Sequence, residues 1–98
     1  MKFGLKEDDY NFIKNQLVAI LGSKINVWCF GSRARGDYMQ FSDIDLMLDS
    51  DLDLSLEVSK LREIFEESSL AIKVDLIQEK DFSSSYFKNY KIERIAFY

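Results

Sequence analysis

Histidine is absent from the 98 residues and cysteine occurs once. The first absence removes Cys-His and Ser-His catalytic machinery and most zinc sites. The second excludes an intramolecular disulfide, and a reducing compartment fits. There is no proline, no low-complexity linker and no internal repeat, so nothing divides the chain. A chain this short does not support two independent cores, and a single domain, 1–98, is expected. No apolar stretch approaches the roughly 20 residues of a membrane span. The N-terminal M-K-F-G-L-K-E-D-D lacks the apolar centre of a signal peptide, so a cytoplasmic location is expected. The net charge of -4 leaves no basic field for general nucleic-acid binding.

What is present is periodic. Tyr10, Ile13, Leu17, Ile20 and Leu21 recur at helical steps, which predicts a helix over 8–21 started by Asp8 or Asp9 and stopped at Gly22. Ile25–Phe30 is apolar on both parities apart from Asn26, as expected of a strand covered on both faces, and Cys29 within it reads as a small buried hydrophobe. Leu54, Val58, Leu61, Ile64 and Phe65 predict a second helix over 54–67, with charged residues on its other side. The stretch 71–77 alternates as a strand, with Ile72, Val74 and Leu76 on one face and Lys73, Asp75 and Ile77 on the other. A short helix capped by Asp81 follows, then an apolar last turn or strand. The late rings (Tyr86, Phe87, Tyr90, Phe97 and Tyr98) form either a docking face or part of the domain's own core.

The stretch Val27 to Leu48 carries the chemistry. An apolar strand stops at Gly31-Ser32, where glycine permits a tight turn and backbone N–H groups can approach a ligand. A helix-like segment with Arg33 and Arg35 follows, and its start favours an anion. On a helix the two arginines are about 200° apart, so both do not point inward. A second strand, 43–48, puts Asp43, Asp45 and Met47 on one face and Ile44, Leu46 and Leu48 on the other. Two carboxylates that close repel unless a cation lies between them, and oxygen-only donors suit a hard ion such as Mg²⁺. Asp75 sits among apolar neighbours on the third strand with the parity to join them. The following D-S-D-L-D run is not an EF-hand, because the sixth and twelfth loop positions hold Leu54 and Lys60.

Gly31-Ser32, the pair Asp43 and Asp45, and the later Asp75, in the wording G-S-R-A-R-G and S-D-I-D-L, resemble the nucleotidyltransferase superfamily that includes DNA polymerase beta, and within it the minimal nucleotidyltransferase proteins. The resemblance implies an α/β fold of order α-β-α-β-α-β with a small mixed or antiparallel three-stranded sheet flanked by helices. It implies that Gly31 and Ser32 hold the nucleotide phosphates, with Arg33 and Arg35 as candidates to help. It implies that Asp43, Asp45 and Asp75 are catalytic and bind two Mg²⁺ ions, Mn²⁺ being an alternative, with ATP as substrate. It also implies a HEPN-type toxin as partner, with AMP transferred to a toxin tyrosine and the chain serving as antitoxin. A non-catalytic antitoxin acting by occlusion and a small-molecule nucleotidyltransferase remain alternatives, as does a homo-oligomer.

Overall fold

The computed structural model describes residues 2–98. Its centre is a strand pair whose sequence alternates. β1 (Asn26–Phe30) runs antiparallel to β2 (Ile44–Asp49), with Cys29 opposite Leu46 and Phe30 opposite Asp45. The chain leaves β2 through α3 (Ser55–Glu66), the crossover that parallel pairing requires, and returns as β3 (Val74–Gln78) alongside β2. Between β1 and β2 lies a one-turn helix, α2 (Ser32–Arg35). Preceding β1 is α1 (Glu7–Leu21), and after β3 come α4 (Ser84–Glu93) and β4 (Ile95–Ala96).

The sheet order β3-β2-β1-β4 makes a mixed four-stranded sheet rather than the expected three-stranded one. The added strand is β4, which pairs antiparallel with β1 through Trp28 and Cys29. Phe97, just beyond it, donates its N–H to the Val27 carbonyl at 2.9 Å. Its ring is fully buried between Phe3 and Tyr10, and the Tyr10 hydroxyl donates to the Phe97 carbonyl at 2.6 Å. Burying the ring and satisfying the backbone together fix the last residues as an edge strand.

One sheet face is the main core. Val27, Cys29, Ile44, Leu46, Leu48, Val74 and Leu76 all point there, against Ile13 and Leu17 of α1 and Val58, Leu61 and Phe65 of α3. Cys29 is fully buried, and burial with the nearby Asp45 charge pushes its thiol up to about 12 despite Arg33. It stays a neutral hydrophobe. The opposite face is divided. α4 covers part of it, where Phe30 meets Phe82 and Tyr90 edge-on and Arg94 lies over Trp28. The late rings are therefore split: Tyr90 and Phe97 are core, while Tyr86 is exposed.

Two helix starts differ from expectation. Lys6, not Asp8 or Asp9, stands at the cap of α1, and the acids fall inside the first turn, where they complement the helix dipole. Asp81 does not cap α4; the Ser83 hydroxyl does, accepting from the Ser85 N–H. Among the described residues, no helix is long and apolar enough to cross a membrane.

Leu46 is fully buried at the middle of β2. Leu46→Ala is expected to lower the unfolding free energy by about 2–5 kcal/mol, read as a lower urea midpoint at unchanged slope.

Candidate active site

The turn after β1 begins at Gly31, with φ 75° and ψ -155°. A side chain is excluded there twice over. The positive φ suits glycine, and an added Cβ would fall 2.5 Å from Oδ2 of Asp45. The backbone of Gly31 thus lies directly against that carboxylate. The first backbone bonds of α2 are donated by Ala34 and Arg35 to the Gly31 carbonyl, at 3.1 and 3.0 Å. The N–H groups of Ser32 and Arg33 precede this ladder, as the first donors of any helical turn do. Gly36, at φ 94°, ends the turn.

The acids come from two strands. Asp45 and Asp75 are register partners across the parallel β2–β3 pair, so both side chains project from the same face. Asp43 precedes β2 and is exposed. Burial, then the charges of Asp75 and Asp43, push the Asp45 carboxyl up from 3.8 to about 6, and only Arg35 opposes them. Asp49, on the same face of β2, is turned aside by the Trp28 indole N–H, which donates to it at 3.3 Å.

Among the described residues, no three acidic or cysteine side chains stand ready as a ligand cage. The donor chemistry nevertheless fits a hard divalent cation. The groups are all oxygen, mutually repelling, gathered around one half-buried carboxyl and reachable from solvent. Asp43, Asp45 and Asp75 are the residues that would hold it.

The two arginines have separate fates. Arg33 had been a candidate for phosphate contact, and that expectation is corrected. Its side chain is buried at 4% exposure and donates to the carbonyls of Ser42, Phe3 and Gln40 at 3.0, 2.9 and 3.2 Å. An anion could reach it only by dismantling that arrangement. Arg35 is exposed, pairs with Asp37 at 3.3 Å and Glu93 at 3.2 Å, and acts on Asp45 electrostatically. Exposed pairs of this kind are weak and exchange readily for a better anion.

Arg62 is the residue the sequence reading passed over, because it sits on the charged side of a helical stripe. It donates to the Leu76 carbonyl at 3.1 Å. With Asp75 it lines both of two adjoining clefts of about 450 and 360 Å³ along the free edge of β3. Only the pairing of β3 at the sheet edge brings it there, and no sequence signal marks it.

A glycine-serine turn thus sits against a pair of acids carried on neighbouring strands. Residues 12–98 match the family described as nucleotidyltransferase domain, and the chain belongs to that family. It is 35% identical over 74 residues to a Haemophilus influenzae protein named as a probable protein adenylyltransferase, MntA, a match that takes in 74% of this chain and 64% of that one. It is 41% identical over 61 residues to a Methanocaldococcus jannaschii protein provisionally named a protein adenylyltransferase, covering 60% of this chain and 61% of that one. The matches thus span less than two thirds of either relative's length. The fold is similar to a crystal structure from Sulfolobus solfataricus provisionally assigned as a nucleotidyltransferase, with TM-score 0.51 and 21% identity over 91% of this chain and 78% of that one.

The Asp45 carboxyl holds its proton more tightly folded than unfolded, so its ionisation opposes folding. That penalty is absent below the ordinary value of 3.8, grows as pH rises toward about 6 and is complete above it. Metal-free Asp45→Asn is therefore expected to melt higher than the parent at neutral pH and above. The gain should shrink as pH falls through about 6 and vanish below 3.8. Melting curves in EDTA across that range measure it.

Proposed function

We propose that the chain is a metal-dependent protein adenylyltransferase that moves AMP from ATP onto a tyrosine of a HEPN-type toxin, and so serves as the antitoxin of a toxin–antitoxin pair. The observation that carries this is the parallel pairing of Asp45 with Asp75, with Gly31 closed down on the Asp45 carboxylate. The names of the two relatives support an adenylyl group and a protein acceptor. The clefts beside Asp75 lie at an open sheet edge, which suits an acceptor delivered by another macromolecule.

Ser32 and the adjoining N–H groups hold the β- and γ-phosphates. Arg35 leaves its exposed pairs to meet the same phosphates. The acceptor hydroxyl oxygen bonds to the α-phosphorus while the bond from that phosphorus to the bridging oxygen breaks in line, and pyrophosphate leaves. Asp75 accepts the hydroxyl proton, directly or through water. Two Mg²⁺ ions held by Asp43, Asp45 and Asp75 would supply Lewis acidity at the attacking oxygen and charge neutralisation at the leaving group.

Incubating the chain and its partner with labelled ATP and Mg²⁺ is expected to label the partner. Asp43→Ala and Asp45→Ala should each reduce labelling by about 100-fold or more, because cation stabilisation of this kind is worth several kcal/mol. Neutralisation of the partner that persists in both variants, with no label transferred, would instead establish occlusion.

A further inference from the structure

Asp43 lies outside any strand, so its position depends on the two peptide groups that flank it. The downstream one is held just before β3 begins, since the Ile44 N–H donates to the Lys73 carbonyl at 3.0 Å. The upstream one is held by a side chain: Arg33 Nε donates to the Ser42 carbonyl at 3.0 Å. The same guanidinium holds the Gln40 carbonyl at 3.2 Å, so it grips the approach to Asp43 at two points. The grip is itself braced. Arg33 lies over the Tyr38 ring at 4.8 Å, and its third donor reaches the Phe3 carbonyl at 2.9 Å. Phe3 is anchored in turn by stacking on Phe97 at 5.5 Å, and Gly4 presses on Tyr38 so closely that any Cβ there would overlap the ring.

Arg33 also belongs to α2, the turn that begins with Ser32. One rigid, planar cation therefore joins the backbone of the serine turn to the backbone that carries Asp43. A charge buried to this degree is costly unless its hydrogen bonds are well made, and here all three nitrogens bond to main-chain carbonyls. We infer that Arg33 is a positioning residue: it sets Asp43 relative to the serine turn, and so governs cation affinity without touching cation or nucleotide. The inference rests on Asp43 being a cation ligand, as in the proposed function.

The test uses the whole chain with a non-hydrolysable ATP analogue. Mn²⁺ binding is followed by calorimetry, with melting temperature and amide exchange over residues 40–44 measured in parallel. R33K and R33M are expected to weaken Mn²⁺ binding about 10- to 100-fold, the usual effect of removing a group that orients a ligand. They should also speed exchange at those amides. Val58→Ala, in the core on the far face, lowers the melting temperature and leaves Mn²⁺ affinity within about twofold, because additive, distant sites do not couple. Arginine variants that keep Mn²⁺ affinity within the same margin, while Asp43→Asn loses it, would overturn the inference and leave the proposed function intact. An Asp43→Asn variant that still binds Mn²⁺ as the parent does would remove both. If R33M does not fold, R33K and Tyr38→Leu, which removes only the brace, carry the same readings.

Discussion

The constraint on which this structure depends is a register. Ile44, Leu46 and Leu48 of β2 stand opposite Val74, Leu76 and Gln78 of β3, and the aliphatic members of those pairs lie in the main core. A slip of one residue would carry every one of them to the other face. The same register that buries them aligns Asp45 with Asp75 on the opposite side, where two like charges are pressed together. The repulsion is local and the apolar burial is spread over two helices and three strands, so the burial wins. The protein holds in place an electrostatic arrangement that the carboxylates alone would abandon, and the Asp45 carboxyl is raised first by its burial and then by the neighbouring charges.

The acid face is useful because it is only partly covered. α4 and the residues flanking it take the portion around Trp28 and Phe30, sealing it with Phe82 and Tyr90 and with Arg94 over the indole. Next to that seal the Asp45 carboxyl is half-buried, desolvated by its surroundings yet not closed off from solvent. Desolvation strengthens the attraction of such a group for any cation that arrives. A wholly exposed pair of acids would be screened, and a wholly buried one unreachable.

Much of this was legible in the sequence because strands alternate. The period of two placed Asp45 opposite Ile44 and Leu46, and the matching parity of Asp75 against Val74 and Leu76 put these two acids on the same side; Asp43, expected in the same strand, instead precedes it. Gly31 was legible as a turn, although its contact with Asp45 was not, since that follows from the antiparallel pairing of Phe30 with Asp45. β4 stayed open between a turn and a strand because two residues carry no period, and its place in the sheet is set by Phe97 sinking between Phe3 and Tyr10. The caps were misread for a related reason. Lys6, Asp8, Asp81 and Ser83 are all within three residues of a helix start, and local spacing does not decide which one turns the chain.

Arg33 and Arg35 show where such reading stops. Two residues apart on one turn, they are chemically identical, and rotation about a helix says only that they diverge. What separates them is the loop from Asp37 to Ser42, whose carbonyls have no strand to pair with. The guanidinium of Arg33, carrying several donors in one plane, meets the carbonyls of Gln40 and Ser42 together. Once Arg33 is committed to the loop it is closed to solvent, and Arg35 is the cation left facing outward near Asp45. One arginine thus ties down a loop that lacks regular structure, and the other is left outward in exposed pairs with Asp37 and Glu93.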